Sequence, residues 1–461
     1  MKKVPIYGNN FFFTIGVYLL ELIGILVISG MLLVLMGPEW GNTIGFGNFV
    51  LSLHLWAAEA FLTLIFLHLF VNFSTSAYKN KKLVWSIGSL MLFVVLLEFA
   101  FGVAIPGDFV SQVNARAGAD LWNGMGLGFW INPLNYGAVI GWHIAIVPIL
   151  LIALAGIHYL LVKRKGLSKP YRKDIPYKIV DANHKIMYKR MAYIFVILIL
   201  FAFLFHAPYS TPITLQSMAI KSPSIFAITL LQEFAHNSTT ATYLDTIDPY
   251  TFNTRTVYVS IPYNIYVNAT NIKNELTGFY SSNTSIQNQT ITDAFAYFEQ
   301  NGSINGAVNS SNPLISTMGT LTKSAQAGIY GPVLQSETVS GINQTYTLLF
   351  ISDSTFFENQ TTANGMQISQ WGMLPIGNEW WQRYMMYWVA PYNILEIATA
   401  NISWWGDLQN GSIALVTFLI LILFPYIPYL EDIPDKLKLY KLFWNRYTIP
   451  QMKKRKTKNT K

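Results

Sequence analysis

The 461-residue chain contains no cysteine. That excludes disulfides, thiolate metal sites and any haem attached covalently through Cys. Charge is scarce as well: Asp, Glu, Lys and Arg make up 12% of the residues, against about 25% in soluble domains. Acidic residues number 23 against 31 basic ones, a formal net charge of +8. This excess is no nucleic-acid signal, because it is gathered in the short stretches "KNKK", "KRKGLSKPYRKD", "KIMYKR" and "KKRKTKNTK". Histidine is limited to 7 residues, so each one carries information.

What the chain has instead is apolar surface, 52% of residues, in runs longer than the roughly 18 residues that cross a bilayer. Six spans are expected: A at about 12–36, B at about 49–73, C at about 84–105, D at about 137–162, E at about 189–208 and F at about 411–429. The leading "MKKVPIYGNN" runs straight into span A with no small-residue cleavage site, so no signal peptide is expected. The basic stretches follow spans B, D and F, which by the positive-inside rule are cytoplasmic ends. Both termini are then inside the cell membrane, and the A–B, C–D and E–F loops are outside.

After Pro208 the composition changes to Asn, Ser, Thr, Gly and Tyr, with little Lys or Arg. "RTVYVSIPYNIYV" and "QTYTLLFIS" have strand-like patterning. Asn237, Asn268, Asn283, Asn288, Asn301, Asn309, Asn343 and Asn359 head Asn-x-Ser/Thr sequons, as do Asn401 and Asn410 before span F. The charge rule independently places all of these outside, where such sites are glycosylated. The expectation is a glycosylated, β-rich extracellular insertion over 209–370.

Span B holds His54 and His68, and span D holds His143 and His158. Ionisable groups within lipid are costly and mark functional sites by default. The fourteen residues from His54 to His68 cover about 21 Å of helix, and at 100° per residue they leave the two side chains about 40° apart. The fifteen from His143 to His158 leave about 60°. Spans B and D run in the same direction, so His54 lies level with His143 and His68 with His158. Two imidazole pairs at two depths are what two bis-histidine haems require. Interhelical hydrogen bonding is the plain alternative for any one of these histidines. A metal other than haem is less well served, with two ligands per level and no carboxylate pair beside them.

A second period matches the first. Gly16 and Gly30 in span A, and Gly88 and Gly102 in span C, are again fourteen residues apart. Glycine has no Cβ to hold a flat macrocycle away from the backbone. Ordinary small-residue helix packing does not explain why the two periods agree. Four helices around two stacked haems do.

On these residues the chain resembles the cytochrome b family, the membrane core of Rieske/cytochrome b quinol-oxidising complexes. The fourteen-then-fifteen spacing is similar to that of the split, photosynthetic-type cytochrome b. So is "HIAIVPILLIALAGIHYLLVKRKGLSKP" with its Pro148, Gly166, Ser168 and Pro170, and "FGVAIPGDFVSQ" resembles the family's stretch at the end of span C. The likeness covers about residues 10–205 well and about 372–435 loosely, and a sequon-bearing outer domain points to an archaeal member. The resemblance implies an all-α polytopic fold, with a four-helix dihaem bundle plus two further transmembrane helices. The division it suggests is 1–208 core, 209–370 insertion, 371–435 quinol-site loop with span F, and 436–461 basic tail.

It also implies two haem b groups, or a modified b-type haem, held by His54/His143 on the outer side and His68/His158 on the inner. Quinol would be oxidised outside, one electron leaving for a Rieske iron–sulfur protein and one crossing both haems to an inner quinone. Terminal oxidase subunits and a second copy of the chain are further implied partners, in a lipid bilayer and without nucleic acid. The family's Pro-Glu-Trp-Tyr loop follows span E and supplies a glutamate that takes a quinol proton. "PIGNEWW" with Glu379 has the right position, with Asn378 in place of the proline. "GPEW" with Glu39 has the spelling but lies in the A–B loop. Glu379 is therefore the expected base.

Other departures are plain. Leu55 stands where the family has an Arg beside a haem propionate, leaving Arg116 as the substitute candidate. Glu21, Glu59 and Glu98 are carboxylates inside spans with no family role. "IPYKIVDANHK" is similar to the inner-quinone stretch, with Asp181 and His184 as candidate proton carriers or simply a solvated loop. Two other classes stay open on the residues: a dihaem quinone-reactive anchor of another dehydrogenase, with one quinone site, and a non-enzymatic glycosylated surface protein.

Overall fold

The computed structural model describes residues 3–42, 45–166, 179–242, 252–270, 274–300, 304–336, 343–364, 366 and 406–443. Five helices in it are long and apolar enough to cross a membrane: Phe11–Met36, Phe46–Ser74, Lys82–Ala104, Tyr136–Lys165 and His184–Leu204. These are spans A to E. Span F is the helix Gly406–Leu423, and the chain bends by 71° between Ser412–Tyr426 and Leu430–Lys436. The chain is an all-α polytopic membrane protein. Its only strands among the described residues are Lys3–Pro5 and Ile179–Asp181, paired antiparallel with Val4 opposite Val180.

The chain divides into two compact units. One comprises residues 1–100, 142–208 and 413–461, and the other 101–141 and 209–412. Residues 101–141, counted above with the core, group with 209–412.

In the first unit the helix ends follow from local chemistry. Asn10 caps span A by accepting from the Phe12 amide, and Gly37, at φ 83°, ends it where a side chain would be strained. Ile28, Met31 and Leu35 on span A remain exposed, as a lipid-facing surface requires. Trp56 of span B donates to the Phe205 carbonyl at 2.8 Å, and Ser52 accepts from the Ala207 amide at 2.7 Å, which fixes span E against span B. At the other end, two of the three "KNKK" lysines are held by the chain after span F, and Lys81 donates to the Gly166 carbonyl. Lys79 pairs with Asp432 and with Asp435 at 2.8 Å, and Lys82 with Glu431 at 3.1 Å. Trp85 and Ser86 donate to the carbonyls of Leu421 and Ile422.

The second unit corrects the expectation of a β-rich insertion: every regular element described between 209 and 366 is helical. The segment that alternates in sequence forms a helical run from Thr256 to Thr270, opening with a π turn. Its buried residues are Tyr258, Val259, Pro262, Tyr263 and Val267. That spacing is a helix face, and burial on it overrides the β-propensity of the Val, Ile, Thr and Tyr it is built from. "TYTLLFIS" is likewise the helix Thr345–Ser352, buried nearly all round. Phe226, Phe234, Tyr258, Tyr330 and Phe350 make the aromatic centre of this unit.

Beside that core the fully buried Glu233 meets the half-buried Asp353. Glu233 is hydrogen-bonded to Asp353, and takes a second bond from the Ser238 hydroxyl at 2.6 Å. Two carboxyls can bond to each other only around a proton. Burial is the main force raising the Glu233 pKa above its usual 4.5, with the Asp353 charge adding to it. The unfolded chain releases this proton near the usual value, while the folded chain keeps it to higher pH. The native state thus binds more protons, and stability falls as pH rises above about 4.5. Thermal unfolding of the unit is expected at lower temperature at pH 8 than at pH 5. Glu233→Gln, which can still donate to Asp353, should flatten that dependence and regain about 1–3 kcal/mol at pH 8. A wild type whose melting temperature rises with pH relative to the variant contradicts the shared proton.

Candidate functional site: a four-helix histidine bundle

Spans B and D bring the outer pair together. The rings of His54 and His143 have centroids 6.2 Å apart and planes at 72°. A metal–imidazole bond is about 2.0–2.1 Å long and the ring centroid lies about 1.1 Å further on, so two imidazoles across one metal put their centroids about 6.2–6.4 Å apart. His68 and His158 interact electrostatically with each other, at the other end of the same two spans. The pairing is therefore His54 with His143 and His68 with His158.

The two spacings, fourteen and fifteen, are reconciled by a defect in span D. Residues Trp142–Ile146 form a π turn between the α-helical stretches Tyr136–Gly141 and Val147–Lys165. Pro148 is the cause: it has no N–H to offer the carbonyl four residues back, and its ring crowds that carbonyl. A π turn accommodates one extra residue. Fifteen residues containing one extra have the phase of fourteen, so His143 and His158 share a face as His54 and His68 do.

The imidazole tautomers of the outer pair follow from their partners. His54 Nδ1 lies 2.9 Å from Ser29 Oγ, and Ser29 gives its own hydrogen to the Ile25 carbonyl at 2.7 Å. With the serine hydrogen on that carbonyl, Oγ accepts and Nδ1 carries the hydrogen. His143 Nδ1 lies 3.0 Å from the Glu98 backbone carbonyl, an acceptor only. Nδ1 is again the donor. In both rings Nε2 keeps its lone pair, the form in which a histidine binds a metal.

The glycines meet the histidines directly. A Cβ built on Gly30 would stand 3.2 Å from Cε1 of His54, one on Gly88 3.3 Å from Cε1 of His158, and one on Gly16 3.9 Å from Cε1 of His68. The glycine period thus matches the histidine period because a ring edge rests on each of these glycines. The sequence reading assigned that room to a macrocycle, whereas the structure first uses it for the imidazole. Gly102 is on the last turn of span C, four residues after Glu98 and so on the same helix face.

Among the in-span carboxylates, Glu98 has a clear place: Oε1 lies 3.2 Å from His143 Nδ1. No pattern in sequence predicts this, since the partners lie 45 residues apart on different spans. Glu59 is buried in span B, and neither it nor Glu21 is in an ion pair among the described residues. Arg116 lies on the helix Phe109–Gly124, engaged by Asp120 and by Ser352 Oγ at 3.0 Å. Asp181 ends the second strand and His184 opens span E, both exposed. Glu39 is on the short helix Pro38–Asn42. Glu379 and its neighbours Asn378, Trp380 and Trp381 lie outside the described residues.

Residues 59–218 match the family profile described as cytochrome b (N-terminal)/b6/petB. This part of the chain is similar to the N-terminal segment of cytochrome b. Three of the four histidines fall inside the match, and His54 precedes it by five residues. The cytochrome bc1 complex cytochrome b subunit of Mycobacterium tuberculosis is 33% identical over 129 residues, 25% of this chain and 24% of that one. Cytochrome b of Sulfolobus acidocaldarius is 26% identical over 202 residues, 37% of this chain and 36% of that one. The chain thus spans only about a quarter to a third of the length of these relatives. A solved structure, "Hyperthermophilic respiratory Complex III", is 19% identical, with a TM-score of 0.38 over 70% of this chain and 91% of that one. That likeness is too slight to carry an argument.

Proposed function

We propose that the chain is the dihaem cytochrome b subunit of a membrane quinol-oxidising respiratory complex. The observation that carries the reading is the pair of histidine levels on spans B and D, with the 6.2 Å ring separation at the outer level. His54 and His143 would hold one b-type haem and His68 and His158 the other, each through Nε2. Bound haems supply one-electron carriers at two depths of the membrane. The protein's part is to fix the imidazoles: Ser29 and Glu98 orient the outer pair, while Gly16, Gly30 and Gly88 let spans A and C close on the rings. A sequence segment of the cytochrome b type over 59–218 supports the same reading.

Quinol would be oxidised on the outer side with Glu379 receiving a proton, one electron going to a Rieske iron–sulfur partner and one inward to a second quinone. Terminal oxidase subunits and a second copy of the chain complete the proposed assembly. The test is stoichiometric. Pyridine haemochrome assay of the purified protein should give two b-type haems per chain, and a reduced-minus-oxidised spectrum should show two low-spin components. One haem or none sinks the reading.

Sidedness is proposed from the basic stretches, with both termini cytoplasmic and 209–370 outside. Asn72 also heads a sequon, but it lies in span B with its amide donating to the His68 carbonyl at 2.7 Å, beside the cytoplasmic lysines Lys79, Lys81 and Lys82. Glycopeptide mass spectrometry should find sugars at several of Asn237 to Asn410 and none at Asn72. A sugar on Asn72 inverts the orientation and exchanges the outer and inner levels.

A further inference from the structure

The two histidine levels differ in what lies behind the rings. At the inner level His158 faces the Val84 backbone carbonyl, fourteen residues before Glu98, and among the described residues neither His68 nor His158 has a side chain of another residue as hydrogen-bond partner. At the outer level both Nδ1 atoms have acceptors, and they are unequal. His54 faces a serine hydroxyl at 2.9 Å. His143 faces two oxygens of one residue, the Glu98 carbonyl at 3.0 Å and its side-chain Oε1 at 3.2 Å. The side chain lies within a membrane span, four residues from Gly102, on a helix otherwise almost wholly apolar. A carboxyl group there is costly, and its proximity to one ligand ring is a specific use for it.

We infer that Glu98 is the positioning residue that fixes His143 toward the outer haem and sets that haem's potential below the inner one. The inference rests on the bis-histidine reading above and deepens it. The physical chain is short. The Glu98 carbonyl and carboxyl oxygens take the Nδ1–H of His143, so the ring can neither flip nor change tautomer and Nε2 stays directed at the metal. An acceptor oxygen on Nδ1 also makes the imidazole a stronger donor through Nε2. A stronger donor stabilises ferric over ferrous iron, and axial-ligand hydrogen bonding is one of the protein's levers on haem potential. His158, at the equivalent inner position, faces the Val84 carbonyl but no carboxyl group. The same two helices thus carry one ligand with a carboxyl behind it and one without, and electron transfer from outer to inner level is favoured by that difference.

The experiment uses the full chain with its haems, in detergent, and reads potentials rather than turnover. Glu98→Met keeps the volume and the backbone carbonyl and removes the carboxyl acceptor, while Glu98→Gln keeps a weaker, neutral side-chain acceptor. Redox titration of Glu98→Met should show the outer haem shifted upward by about tenfold in its ferric/ferrous ratio, or about 59 mV for one electron, with the inner haem unmoved. Its low-spin electron paramagnetic resonance signal should broaden or shift. Glu98→Gln should restore the signal and move the potential only part of the way. An outer haem that keeps its wild-type potential in Glu98→Met overturns the inference, as do two haems shifting equally. Should Glu98→Met fail to assemble, the glutamine variant decides alone: an unshifted outer potential overturns the inference, and an upward shift confined to the outer haem upholds it. A wild type without two low-spin haems withdraws the underlying bis-histidine reading instead, and is recognised before any variant is made.

Discussion

A Glu379→Gln protein is expected to oxidise quinol about 10²-fold more slowly than the wild type, the low end of what a general base contributes. Oxidation of a quinol releases protons as well as electrons, so a group at the outer site must take one. Such a group needs a partly desolvated setting and a pKa near the working pH. The sequence around Glu379 suits the first requirement: Trp380, Trp381 and "YMMYWV" are apolar, Asn378 offers a hydrogen-bonding side chain, and span F follows in the sequence. Glutamine keeps the shape and loses the base, so both haem spectra should stay intact while the rate falls. Glu39 provides the control. It shares the letters Pro-Glu-Trp, yet it lies on a five-residue helix between spans A and B, and Glu39→Gln should change the rate little. Wild-type turnover in Glu379→Gln together with a crippled Glu39→Gln would show the assignment to be the wrong way round.

His68→Leu is expected to halve the haem content, from two per chain to one, and to leave the outer spectrum in place. Leucine offers no lone pair, so His158 alone remains at the inner level, and a single imidazole does not make the six-coordinate, low-spin site. The outer pair should survive, because its alignment rests on contacts that do not involve His68. His54 is held by Ser29, His143 by Glu98, and Gly30 accepts the edge of His54. Spectroscopy separates the outcomes. Loss of both components would mean that the bundle depends on the inner haem to fold. Retention of both would remove His68 from the ligand set.

Much of the core was legible in the chain itself. A span needs a run of apolar residues long enough for the bilayer, and Phe11–Met36, Phe46–Ser74 and the three that follow lie within a few residues of the expected limits. Histidine and glycine periods were readable because a helix turns by a fixed 100° per residue. The outer ring contact and the glycines set against three of the four rings lie where those periods put them. The reading failed where no long period or membrane constraint exists. In residues 256–270 and 345–352 the β-branched and aromatic content argued for strands, and burial on a helical face decided otherwise.

The sequence by itself determined the spans, the four histidines and the two depths at which they stand, because hydropathy and helical phase are local properties of the chain. Only the tertiary structure decided which groups stand behind those histidines. Ser29 is 25 residues from His54 and Glu98 is 45 from His143, and contacts between spans depend on how whole helices rotate and cross. The fifteen-residue spacing belongs to both levels. Pro148 is written in the sequence, but the π turn that brings His143 and His158 onto one face forms only where the helix can widen without losing its packing.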